Sequence, residues 1–132
     1  MDDLTQWLSA QLDEDDRITL AADHGPWECK NLGRHDQAAV STSGGPTALI
    51  QLGGARAAAN GVYVARHDPA RALVESAIKR RVVDEYDACA AWAQMPDAAE
   101  AFRYRAEAYR EVLKNFAELY ADRPGYREEW RP

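Results

Sequence analysis

Cysteine is scarce in this sequence. Its 132 residues hold two, Cys29 and Cys89, in segments of different character, and their spacing suggests no disulfide framework. Long apolar runs are missing too; none approaches the roughly 20 residues that span a bilayer. The opening MDDLTQWLSAQLDEDD has neither a basic n-region nor an apolar h-region, so it is not read as a signal peptide. Together these absences predict a cytoplasmic chain with reduced thiols and no membrane partner. Positive charge is also in deficit. Sixteen Lys and Arg stand against twenty-two Asp and Glu, a formal net charge of −6. That balance disfavours broad contact with nucleic acid or anionic lipid and leaves neutral or basic protein partners open.

The motifs of common chemistries are absent as well. Gly44-Gly45 and Gly53-Gly54 fit neither G-x-x-x-x-G-K-[ST] nor G-x-G-x-x-G, and they read as turn glycines. No Ser stands in a G-x-S-x-G elbow. Cys29 has His24 and His35 near it in sequence, which is thin support for a thiol nucleophile, so a structural cysteine is the reading. No catalytic residue and no cofactor is assigned.

What is present is enough to fold. Hydrophobic residues make up 46% and charged residues 29%, a balance that builds a core without metal or disulfide. Residues 1–132 fit a single domain. Residues 2–22 read as an amphipathic helix with Leu4, Trp7, Leu8, Leu12 and Ile18 near one face. The run Asp13–Asp16 is a solvated face rather than a docking strip. Residues 23–54 form a β-hairpin region. Its β-compatible stretches are Trp27–Cys29, Ala38–Thr42 and Thr47–Leu52, with Ser43-Gly44-Gly45-Pro46 as the turn between the last two.

Residues 55–66 read as a short helix or a strand. Their alanines favour helix, whereas Gly61 and Val62-Tyr63-Val64 favour strand. Residues 68–93 form a helix capped by Asp68, with Pro69 at its first position. Val74, Ile78, Val82, Tyr86, Cys89 and Ala93 make its apolar stripe. Residues 97–121 form another helix, opened by an Asp97–Glu100 capping box and lined by Phe102, Tyr109, Val112, Leu113, Phe116 and Tyr120. This stripe is read as core. Residues 122–132 form a tail in which Tyr126 and Trp130 dock back on the helices, in the region of Trp7, rather than hang free as a linear motif.

The fold class that follows is α+β and mostly helical, with three main helices packed on a small antiparallel hairpin or sheet. Three sets of residues compete for a function. Arg66, His67, Arg71, Tyr126 and Trp130 are the candidate contacts to a protein partner. His67 and Asp68 are the centre of a rival metal-dependent reading. Zinc asks for three or four ligands, and the other candidates, His24, Cys29, His35, Asp36 and Cys89, show no C-x-x-C or H-x-x-x-H spacing, so no metal is assigned. Arg66, Arg71, Lys79, Arg80 and Arg81 form a local basic cluster that could touch nucleic acid. Glu75, Asp84 and Glu85 interleave with it, and salt-pairing is the plainer reading.

Two segments carry a resemblance. Residues 65–73, Ala-Arg-His-Asp-Pro-Ala-Arg-Ala-Leu, match an ARHDPAR-x-L pattern, and residues 120–132 match a YAD-x-PGYREEWRP ending. With Met1-Asp2-Asp3-Leu4 and the Pro26-Trp27 step, the chain resembles, over its whole length, a family of uncharacterised proteins from actinobacteria, notably streptomycetes, and their phages. Val62-Tyr63-Val64 departs from the His-Ile step more usual before that motif, which removes one possible metal ligand. The resemblance implies a source and no activity. The resulting expectation is a non-enzymatic accessory or regulatory protein that binds another protein, with a homodimer among the options.

Overall fold

The computed structural model describes residues 1–34, 36–45, 48–97 and 100–132. Helix α1 spans Asp3–Ala21. Strands β1 (Trp27–Asn31), β2 (Gln37–Thr42) and β3 (Ala48–Gly53) follow, then helices α2 (Ala57–Arg66), α3 (Pro69–Ala93) and α4 (Glu100–Glu118), and a single 3₁₀ turn at Glu128–Trp130. This is an α+β, predominantly helical fold with a small antiparallel sheet. The Pro46 and Thr47 of the expected turn and third strand, His35, and the Ala98-Ala99 step inside the expected capping box lie outside the described residues.

The chain groups into two compact units, Met1–Asp15 with Ser76–Pro132, and Asp16–Glu75. The first unit is helical. Asp2 opens α1: its Oδ1 accepts the Thr5 amide at 3.0 Å, and its carbonyl accepts that of Gln6 at 3.0 Å. Leu4, Leu8 and Leu12 then repeat every fourth residue and are buried with Val83 and Tyr86 of α3, Leu113 and Ala117 of α4, Tyr120 and Trp130.

The apolar stripe of α3 is only partly in this core. Each four-residue step turns a helix by about 40° beyond a full turn, so the line Val74, Ile78, Val82, Tyr86 winds around the axis. Tyr86 is buried while Val74 and Ile78 are exposed. Ile18 is likewise exposed, because six residues beyond Leu12 is about 120° off the leucine line. On α4, Leu113 is fully buried, Val112 is exposed, and Phe102, Tyr109 and Phe116 are half-buried.

The second unit is built on a three-stranded meander in the order β1-β2-β3. Cys29 pairs with Val40 across one ladder and Val40 with Ile50 across the other. The first β-compatible stretch is thus a full partner, and the expected hairpin grows to three strands. Central β2 is buried from Ala38 to Ser41. Helix α2 lies on the sheet through Ala57 and Gly61, both buried. Residues 57–66 are helical despite Gly61 because that glycine sits against the sheet. A Cβ there would stand 2.5 Å from Cys29 Sγ and 3.4 Å from Ala38 Cβ, so a side chain would prevent the helix from approaching.

A candidate interaction surface

Asp68, buried in the bend between α2 and α3, is used by the backbone on both sides. Its Oδ1 accepts the Arg71 amide at 2.9 Å and its Oδ2 accepts the Trp27 amide at 2.7 Å. One carboxylate therefore closes the first turn of α3 and fixes the start of β1. His67 packs against Tyr63 with ring centroids 4.4 Å apart and planes tilted by 36°. Among the described residues no group of three or more His, Cys, Asp or Glu side chains is placed to hold a metal ion. Cys29 is half-buried and Cys89 buried, and both are free thiols.

The basic cluster is largely engaged within the chain. Arg71 Nε pairs with Glu75 at 2.6 Å, and Arg80 with Asp13 at 2.8 Å. Lys79 donates to the Tyr120 hydroxyl at 3.1 Å and lies 5.2 Å from that ring. The two ion pairs neutralise Arg71 and Arg80 within the chain, whereas Lys79 keeps its charge beside the neutral Tyr120 phenol.

The tail is packed against the helical unit. Trp130 is 3% exposed and sits 5.2 Å, centroid to centroid, from Trp7. Tyr126 completes the set, 5.8 Å from Trp7 and 6.1 Å from Trp130. Trp7 Nε1 donates to the Pro124 carbonyl at 3.0 Å. Gly125 makes the turn with φ +87°, and a Cβ there would meet the Trp7 ring at 2.9 Å. Arg127 lies over the Trp130 ring at 5.2 Å and pairs with Asp3 at 2.9 Å. Trp130 is thus part of the internal packing, with Tyr126 half-buried beside it.

At the start of α1 the Asp2 carboxylate also binds Arg110 Nη1 and accepts from the Tyr86 hydroxyl at 2.7 Å. Burial pushes this carboxyl up, but the Thr5 amide, Tyr86 and Arg110 together outweigh it and hold it below the ordinary aspartate value. Burial, reinforced by the hydrogen bond to Asp2, moves the Tyr86 phenol up. Asp87, on the same stretch of α3, is raised mainly by burial. A cavity of about 310 Å³ lies here, lined by Asp2, Tyr86, Asp87 and Gln94 among others. Of the groups lining it, Asp2 and Tyr86 are bound to each other, and Asp2 also caps α1.

Among the described residues of the helical unit, α3 and α4 carry an exposed apolar face. Trp92 is 57% exposed and stacks on Phe102, centroids 6.0 Å apart and planes inclined by 22°. Seven residues back along α3 stands Glu85, and seven forward along α4 stands Tyr109. Both line a groove of about 400 Å³ with Ile78, Arg81, Val82 and Arg105. Ile78 is 44% exposed and Val112 40%. Arg105 lies 6.0 Å from the Tyr109 ring, and its contact with the Tyr109 side chain raises its pKa further. The face is apolar at both ends and charged in its middle.

The sequence pattern puts Phe102, Tyr109 and Val112 in the core and Ile78 in the α3 stripe, and passes over Trp92; Tyr109 does pack against the core, whereas Val112 and Ile78 are exposed. A signal was available. Ile78, Glu85 and Trp92 recur every seventh residue, a line distinct from the Val83–Tyr86 line that meets the leucines of α1.

Compared with known proteins, residues 1–132 match a family model described as a family of unknown function (DUF6221). No curated protein matches, and no solved structure does.

Proposed function

For a chain that belongs to the DUF6221 family over its full 132 residues, we propose a role in protein–protein binding without catalysis, through the α3–α4 face. The observation that carries this reading is the exposed Trp92–Phe102 stack running into the groove at Glu85 and Tyr109. A Trp left more than half in water is unusual, and exposed aromatic surface bordered by arginine is the composition of protein-binding hot spots. The chain acts in the cytoplasm; no described helix is long and apolar enough to cross a membrane. The resemblance of residues 65–73 and 120–132 to actinobacterial and phage proteins supports an accessory or regulatory role in a phage or mobile element. Arg66, His67 and Arg71 form a separate, secondary contact candidate in the other unit, with Arg71 already paired to Glu75.

Affinity capture with the wild-type chain and with Trp92→Asp tests the reading. The expected result is a protein held in stoichiometric amount, either a second copy or a different chain, by the wild type and lost by a folded Trp92→Asp variant. Equal recovery of every bound protein by both baits would overturn it.

A further inference from the structure

We propose that the α3–α4 face docks a second copy of this chain about a two-fold axis that passes between Glu85 and Arg105. The proposal rests on the reading of this face as a binding surface and names its occupant. A two-fold interface uses the same patch twice, so the patch must complement itself.

This one does. Trp92 opposite Phe102 fixes the alignment of the antiparallel pair. Stepping ten residues back along α3 and forward along α4 reaches Val82 and Val112. An axis midway between these two ends lies between Glu85 and Arg105. Rotation about it lays the Trp92–Phe102 end of one copy on the Val82–Val112 end of the other. The same rotation brings Glu85 of each copy against Arg105 of the other, two opposite-charge contacts for one operation. Exposed Ile78 extends the Val82–Val112 end.

The charge order is what selects a second copy over an arbitrary protein. Read from the Ile78 end, the face carries Arg81 beside Val82, then Glu85, then Arg105, then the Trp92–Phe102 stack, and its central acidic and basic groups exchange places under a two-fold rotation. The stripe from Ile78 to Trp92 is roughly 20 Å long at 1.5 Å per residue. A face of that length and two helices wide is smaller than the about 800 Å² per partner of a standard interface, so the association belongs among weak, reversible ones.

The test is sedimentation velocity on the full chain from low micromolar to near-millimolar concentration. The wild type is expected to shift from monomer to dimer within that range. Glu85→Arg alone and Arg105→Glu alone each place like charges in contact and are expected to weaken the dimer by about tenfold or more. Mixed in equal amounts, the two variants are expected to dimerise with each other, because the first carries two arginines and the second two glutamates at the facing positions. Recovery in the mixture cannot come from contacts within one chain or from misfolding, and circular dichroism of each variant checks the fold. A wild type that stays monomeric overturns the proposal, as do variants that self-associate like the wild type or a mixture that stays monomeric. In any of those cases, a different protein captured by the wild type and lost by Trp92→Asp would leave the binding face standing with another occupant.

Discussion

Asp68 concentrates more structural work in one side chain than its position in the sequence suggests. A cap alone is worth about 1 kcal/mol. Here the second oxygen also takes the Trp27 amide at 2.7 Å, and a buried amide left without an acceptor adds a further penalty of roughly 1–3 kcal/mol. Asp68→Ala is therefore expected to destabilise the protein by about 2–4 kcal/mol in chemical denaturation, with Asp68→Asn milder. An Asp68→Ala midpoint equal to the wild type would show that neither hydrogen bond contributes. Tyr126 presents the opposite case. Its ring packs against both Trp7 and Trp130, but its hydroxyl is buried with no hydrogen-bond partner among the described residues. Removing that oxygen keeps the packing and relieves the desolvation. Tyr126→Phe is expected to melt at or slightly above the wild-type temperature; a loss above about 1 kcal/mol would mean the hydroxyl is paired.

At the level of elements, glycine in a helix normally weakens it, and Ala in its place gains up to about 1 kcal/mol. Gly61 in α2 reverses that expectation, since the added methyl would stand 2.5 Å from Cys29 Sγ. Gly61→Ala is expected to destabilise by roughly 1–3 kcal/mol, and combining it with Cys29→Ala to recover much of the loss, a coupling a double-mutant cycle measures. Additive single effects would show that sulfur is not the obstacle. The same position shows what a sequence conveys and what it does not. The α+β class was legible because period and breakers are local signals: leucines four apart in α1, Asp-Pro before α3, Gly-Pro before the strands. The state of residues 55–66 stayed open because the reason for Gly61 lies across space, on β1. The α4 stripe reads as core from the sequence for a related reason. A stripe that drifts by about 40° every four residues names every apolar residue on a long helix, but only the partner helices decide which part of the drift is covered. Val83 and Tyr86 meet α1; Ile78 and Trp92 do not reach the buried core.

For the whole molecule, the Asp2–Tyr86–Arg110 group links stability to pH at both ends of the scale. Asp2 is ionised more easily in the folded chain than in the unfolded one. Its contribution is fully present above the unfolded aspartate value, about 3.9, and is lost as pH falls through the lower folded value. Tyr86 holds its proton more firmly when folded. Its contribution is present below the unfolded tyrosine value, about 10, and is lost as pH rises through the raised folded value. Asp87, raised by burial, works against Asp2 on the acid side, because its raised folded value favours the folded chain as protons are added. The overall acid limb therefore mixes opposing groups, and a difference between variants isolates one of them. In Asp2→Asn the carboxylate is gone at every pH, so the gap in melting temperature from the wild type is expected to be widest near neutrality and to close as pH drops below about 3.9. The Tyr86→Phe gap is expected to hold steady through neutrality and to narrow above about pH 10, where the wild type loses its advantage. Asp2 and Arg110 are each about one-third exposed, so solvent and salt weaken the link between them, and the Asp2→Asn gap should also shrink in high salt. A gap that stays constant from acid to neutral pH would show that Asp2 acts only as a cap for Thr5 and that its charge does not help hold α1 to α3 and α4.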